Sequence, residues 1–151
     1  MTDKLLVSAC LLGNPVRYDG RDKKLGSGLL ERWAGQGRLV VICPEIAGGL
    51  PVPRAPAEIQ PDGRVVDMTG ADVSAPFEKG AQTALALAQA EGCRFALLTE
   101  GSPSCGSSFV FDGSFSGTRR SGMGITAALL ERNGVRVFAP DRIAELASLL
   151  G

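Results

Sequence analysis

Four short apolar runs, KLLVSA (4–9), RLVVI (38–42), RFALLT (94–99) and VRVFA (135–139), recur along the chain with helix-type segments between them. Each is apolar at successive positions, the pattern of a strand buried on both faces. Strands of that kind belong to a parallel sheet, which needs crossover connections, and the intervening segments supply them. Leu25, Leu29 and Trp33 share one helical face ahead of Gly35 and Gly37. From Ser74 to about Ala90, the residues Phe77, Ala81, Ala84, Leu85 and Ala88 recur at helical spacing, with Ser74 as N-cap and Pro76 in the first turn. Ile125, Ala128, Leu129 and Arg132 mark another helix, stopped by Asn133-Gly134. Asp141 caps a last one that turns Ile143, Leu146, Ala147 and Leu150 inward.

The fold class that follows is α/β: a Rossmann-like or flavodoxin-like three-layer sandwich with a mainly parallel sheet. It is expected as a single domain over 1–151. Two segments depart from the alternation. AEIQPDGRVVDM (57–68) places Pro-Asp-Gly between short β-type runs, and FVFDGSFSG (109–117) places Asp-Gly between two more. Both read as small hairpins added to the core.

Several functional classes are excluded early. The chain has 16 Lys+Arg against 16 Asp+Glu, so it lacks the basic excess that grips nucleic acid, and a small-molecule partner is expected. Histidine is absent, which removes Ser-His-Asp and Cys-His catalysis and any His-ligated zinc or haem. No apolar run approaches the roughly 18 residues of a membrane span. LVSAC (6–10) has the look of a lipoprotein cleavage box, but only Leu5, Leu6 and Val7 stand before it as an apolar core. The expectation is a cytoplasmic protein, without membrane or nucleic-acid partners, as a monomer or weak homodimer. Trp33 and the six Phe are too scattered to mark a dimer surface. In the cytosol thiols stay reduced, so four cysteines point to metal or reactivity before disulfides.

The placement of those cysteines narrows the choice. In an open parallel sheet, ligands bind beyond the carboxyl ends of the strands. Cys10 and Cys43 directly follow the first two strands, and Cys105 lies in GSPSCG (101–106), the loop leaving the third. Cys93 precedes that third strand and falls at the opposite edge, where a small core residue is the plain reading. Three converging thiolates do not close a structural zinc tetrahedron. They do suit an iron–sulfur cube, which takes one thiolate per iron and would keep its fourth iron open as a Lewis acid. The long intervals between them match no electron-transfer ferredoxin run. Glu45, two residues beyond Cys43, would lie near the open iron and could move protons; its ordinary alternative is a solvated or helix-capping carboxylate. Arg17, Asp19 and Arg54 are candidate substrate contacts or structural groups, and Tyr18 is expected to be structural. Arg119–Gly124 is either an anion site at a helix N-terminus or a solvated loop.

SACLLG (8–13), VRYDG (16–20), CPEIAGGLPVPRAP (43–56) and SPSCG (102–106) together make the chain resemble a bacterial desulfidase family that includes thiouracil desulfidase. The resemblance runs from Lys4 to about Gly134. It implies a 4Fe-4S cluster held by Cys10, Cys43 and Cys105, with Glu45 and Ser102 assisting at the open iron. It further implies non-redox removal of sulfur from 2- or 4-thiouracil, giving uracil and hydrogen sulfide. Thr99-Glu100-Gly101 departs from the Lys-containing stretch of many relatives, so family members need not share one substrate. Two other classes stay open at this point. One is a non-enzymatic metal- or cluster-bearing sulfur or redox module. The other is a cysteine-nucleophile enzyme, although a phosphatase would need Arg where Val16 follows Cys10 and Phe111 follows Cys105.

Overall fold

The computed structural model describes residues 3–14, 18–20 and 28–150. Four parallel strands form the central sheet: β1 (Leu5–Ser8), β2 (Leu39–Ile42), β5 (Phe95–Leu97) and β8 (Arg136–Phe138). Their order is β2-β1-β5-β8, so the chain starts in the middle, goes one way and then the other. That is the flavodoxin-type order, and its reversal between β1 and β5 opens a crevice at the carboxyl ends of those strands.

The period-2 pleat sorts strand residues onto two faces. Leu6, Ala96, Leu98 and Val137 pack with Ala84, Ala88, Ala127 and Leu130 under α3 (Ser74–Ala90) and α4 (Ile125–Arg132). Leu5, Val7, Leu97 and Phe138 pack with Leu30, Trp33, Leu146 and Leu150 under α1 (Gly28–Gly35) and α5 (Ile143–Leu150). The three layers are therefore as the apolar runs predicted. Burying one Leu or Phe side chain from this set is worth about 1.5–3 kcal/mol, so each face is a substantial anchor for the sheet. Arg38 is a buried cation at the sheet's other edge, and its guanidinium donates to the carbonyls of Asp3 and Leu150 and to the side chain of Gln36. Those bonds offset the cost of taking its charge out of water and tie α5 to the start of β1.

Four details differ from the sequence-based expectations. Asp141 lies inside a 3₁₀ turn (Pro140–Arg142) ahead of α5 and does not cap that helix. Ser74 is the first residue of α3, not its cap: its N–H meets Asp72, and its hydroxyl accepts from the Val65 N–H. A short helix, α2 (Pro44–Ala47), begins directly after Cys43. It lies on α3 at backbone contact, because a Cβ on Gly48 would stand 1.9 Å from the Pro76 carbonyl oxygen and one on Gly80 2.0 Å from that of Pro44. The first added hairpin, β3 (Ala57–Ile59) with β4 (Val65–Asp67), is where the Pro-Asp-Gly turn put it. In the second, β6 (Phe109–Phe111) pairs with β7 (Arg119–Ser121), so the Asp-Gly pair opens a longer loop and SFSG is not a strand. Leu25 and Arg17 lie outside the described residues. Among the described residues, no helix is long and apolar enough to cross a membrane.

Candidate iron–sulfur site

The carboxyl ends of β1, β2 and β5 open into one cleft of about 610 Å³, lined by Cys10, Cys43, Glu45, Ser102 and Cys105. This volume is in the usual range for a small-molecule site. Each thiol arrives by a different local device. Cys10 sits in a single 3₁₀ turn (Ala9–Leu12) that β1 runs into, closed by Gly13 in the left-handed region. Cys43 is the N-cap residue of α2, with Pro44 setting the first helical φ. Cys105 ends a turn clamped by the Gly106 N–H to Ser102 carbonyl bond. None of the four cysteines is in a disulfide.

Cys105 is fully buried, and burial pushes its thiol well above the ordinary range. The Ser8 hydroxyl, 3.6 Å from its sulfur, opposes that shift, while nearby Glu45, Cys10 and Cys43 reinforce it. Cys43 is raised too, by burial first, against the helix N–H groups of Ile46 and Glu45. A nucleophilic cysteine needs its thiolate favoured, and these two are shifted the opposite way. Burial at these two positions therefore works against a free thiolate nucleophile.

Glu45 stands in the first turn of α2, and its Oε2 accepts from Arg54 Nη2 at 3.0 Å. The side chains are only 18% and 6% exposed respectively, so Glu45 is neither solvated nor a mere cap. Arg54 also donates to the Pro51 carbonyl, and its own N–H donates to the carbonyl of Tyr18. It therefore lines the cleft and forms an ion pair at once. Tyr18, expected to be structural, is partly exposed on the cleft wall. Asp19 is exposed and does not line it.

The two serines of SPSCG separate cleanly. Ser104 is buried and bonded to Thr126 at 2.7 Å. Ser102 lines the cleft, and its Oγ accepts the N–H groups of Ser104 (3.0 Å) and Cys105 (3.1 Å). With both acceptor positions used, its O–H is left to donate. The N–H groups of Ile125, Thr126 and Ala127 at the start of α4 are taken by the Pro103 and Ser104 carbonyls. The helix N-terminus is thus already satisfied and is not an anion site. Arg119–Ser121 is an exposed strand, with the Arg119 guanidinium 4.1 Å from the Phe109 ring centroid, and residues 122–124 follow it without regular structure.

The donor set, three thiols from three separate loops in a chain without histidine, has the chemistry of an iron–sulfur cube. Among the described residues, no three Cys, Asp or Glu side chains already stand together as a site for one ion. A cube spreads its ligands over separate irons. Buried thiols that repel one another as thiolates need cationic charge between them, which iron supplies. The cleft also holds a buried Thr99 Oγ1 with no hydrogen-bond partner among the described residues, an open position for something the cleft binds. Sequence reasoning missed Ser8, Thr99 and the three phenylalanines of this cleft, Phe109, Phe111 and Phe115. The alternation in FVF, which puts Phe109 and Phe111 on one face, was the available signal.

Known proteins resemble this chain over nearly its whole length. Over residues 5–142 the chain matches the model of a family described as 2-thiouracil desulfurase. It is 36% identical to the uncharacterized protein YbbK of Bacillus subtilis (strain 168), covering 94% of this chain and 99% of that protein. A solved structure of the 4Fe-4S-dependent thiouracil desulfidase TudS superposes with a TM-score of 0.96 at 53% identity, covering 98% of this chain and 97% of the other. The converging thiols, the carboxylate beside them and a match over nearly the whole length lead to one conclusion: the chain belongs to the 2-thiouracil desulfurase family.

Proposed function

We propose that this protein is a cytoplasmic desulfidase converting thiouracil and water to uracil and hydrogen sulfide, with a 4Fe-4S cluster held by Cys10, Cys43 and Cys105. The single observation that supports it best is the convergence of those three thiols with Glu45 in one cleft at the sheet's switch point. When bound, the cluster supplies a Lewis-acidic iron free of protein ligands, able to draw electron density from a sulfur-bearing carbon.

The chain's own residues supply the proton chemistry. Glu45 takes a proton from the water that adds to the carbon bearing sulfur, a contribution of about 10²–10⁴-fold for a well-placed base. Arg54 holds that carboxylate in position through its guanidinium. Ser102, whose oxygen already accepts two backbone N–H groups, offers its O–H to the substrate. The carbon–oxygen bond forms, the carbon–sulfur bond breaks, and sulfur leaves after gaining protons. No net electron transfer is required. Around these groups, Leu50, Val73 and Phe77 give the cleft an apolar lining.

Anaerobic reconstitution with iron and sulfide tests this directly. The expected product is a brown protein with about four irons and four sulfides, as a cube requires. Incubated with 2- or 4-thiouracil, it releases uracil and sulfide in equal amounts. A zinc-loaded or colourless protein, or a brown one that leaves both thiouracils intact, overturns the proposal.

A further inference from the structure

Phe109, Phe111 and Phe115 are half-buried and line the cleft. Phe109 and Phe111 share one face of β6, with rings edge to face at 6.0 Å and 85°, while Val110 between them is buried against Ile59, Val65 and Phe77. Phe115 comes to the same cleft from the loop between β6 and β7. Among the described residues it is the one non-glycine residue with positive φ, at 56°. Bulky side chains avoid that region, because Cβ crowds the backbone there.

The loop is anchored as though to hold that residue. Glu58, itself on the cleft wall, accepts at one oxygen the N–H groups of Gly113 (2.9 Å) and Phe115 (3.1 Å). Gln60 donates to the Gly113 carbonyl at 3.1 Å. A Cβ on Gly113 would stand 2.9 Å from the Ile59 carbonyl oxygen, so the loop reaches β3 only with glycine there. GSFSG offers two glycines for positive φ, yet the largest residue also carries one. Strain kept in place by dedicated bonds, beside a ligand cleft, points to the position of the ring as the feature retained.

We infer that Phe115 is a substrate-recognition residue whose ring, fixed by Glu58, packs against the flat face of the thiolated pyrimidine and sets its KM. The inference rests on the desulfidase reading of the cleft and extends it to how the substrate ring is gripped. An apolar aromatic wall suits a planar, uncharged heterocycle, and truncating such a stacking partner typically weakens binding by about tenfold or more.

The test compares Phe115→Ala, Phe115→Gly and Phe115→Tyr in the cluster-loaded protein. The KM for 2-thiouracil rises about tenfold in the Ala and Gly variants with kcat and visible absorbance unchanged, and it returns towards the parent value in the Tyr variant. Both truncations lose the ring, but only glycine escapes the φ penalty, so the Gly variant melts about 2–4 °C above the Ala variant. At an ordinary φ the order would be reversed. Uracil also raises the melting temperature of the parent, and this shift shrinks in both truncations. Unchanged KM, a loss confined to kcat, equal or reversed melting order, or a uracil shift absent from the parent or surviving loss of the ring overturns the role of Phe115. A parent that leaves thiouracil intact but shows the uracil shift, and its loss on truncation, overturns the desulfidase reading while supporting Phe115.

Discussion

The two edges of the central sheet each carry a buried cysteine, and burial acts on both thiols in the same direction. Cys93, just before β5, is pushed up to about 11 by loss of water, and Cys105, beyond the end of β5, is pushed up further for the same leading reason. Their company differs. Cys93 donates its N–H to the Ala88 carbonyl and packs among Ala88, Leu98 and Val135, near the surface pair Lys4–Glu91. Cys105 faces the Ser8 hydroxyl and feels the charges of Glu45, Cys10 and Cys43. A raised thiol pKa is thus a mark of burial that core and site share. Convergence on the carboxyl edge distinguishes the proposed cluster ligand.

The sharpest way to break that contrast is to remove each sulfur in turn. Cys105→Ala should lose bound iron and drop turnover to background, since one iron of the cluster forfeits its protein ligand. Cys93→Ala should keep iron and turnover, and cost about 1 kcal/mol of packing, seen as a melting temperature lower by about 2–4 °C. Iron analysis and a thermal melt on both variants decide the matter. Equal iron loss in the two would mean that position along the strands carries no functional meaning.

A smaller effect separates the acid–base groups from the ligands within the active edge. Glu45→Gln should hold its iron and brown colour while kcat falls ~10²–10⁴-fold. Arg54→Ala leaves a half-buried carboxylate without its guanidinium, and a loss of roughly 10–100-fold is expected, the scale for a group that orients its neighbour. Arg54→Lys should recover only part, because an ammonium cannot reproduce the fork that reaches both Glu45 and the Pro51 carbonyl. Steady-state kinetics normalised to iron content check the ranking. Full activity in Glu45→Gln would take the carboxylate out of the mechanism.

How far the sequence could be read follows from the range of the forces involved. The strands, α3, α4 and the edge on which Cys10, Cys43 and Cys105 gather were legible, because apolar periodicity and chain order determine them locally. Glu45 was found through its closeness to Cys43 in sequence, but not its pairing with Arg54, which depends on how the 48–54 segment folds back. FVF was recognised as a strand, yet its partner was misread. Asp112-Gly113 looks like a two-residue turn, whereas Glu58 and Gln60 from another hairpin hold those residues in a wider loop. Cross-strand partners chosen at a distance leave no local periodic trace. For the same reason Phe115 reads in the sequence as part of a second β-type run rather than of a loop.

Ser8 gives the finest version of the comparison, since it touches a proposed cluster ligand without being one. Its hydroxyl accepts the Thr99 N–H at 3.0 Å and donates to the Cys105 sulfur at 3.6 Å, so it links the ends of β1 and β5 across the switch point. Hydrogen bonds to a cluster thiolate favour the reduced, more negative state, and losing one moves the potential downward. Ser8→Ala should therefore shift the cluster's reduction potential to more negative values. It also leaves the Thr99 N–H buried without its partner, lowering stability by about 1–3 kcal/mol. Turnover should change only a few-fold, because the reaction transfers no net electrons. Spectroelectrochemistry beside a thermal melt separates the two roles: a purely structural serine would lower the melting temperature and leave the potential where it was.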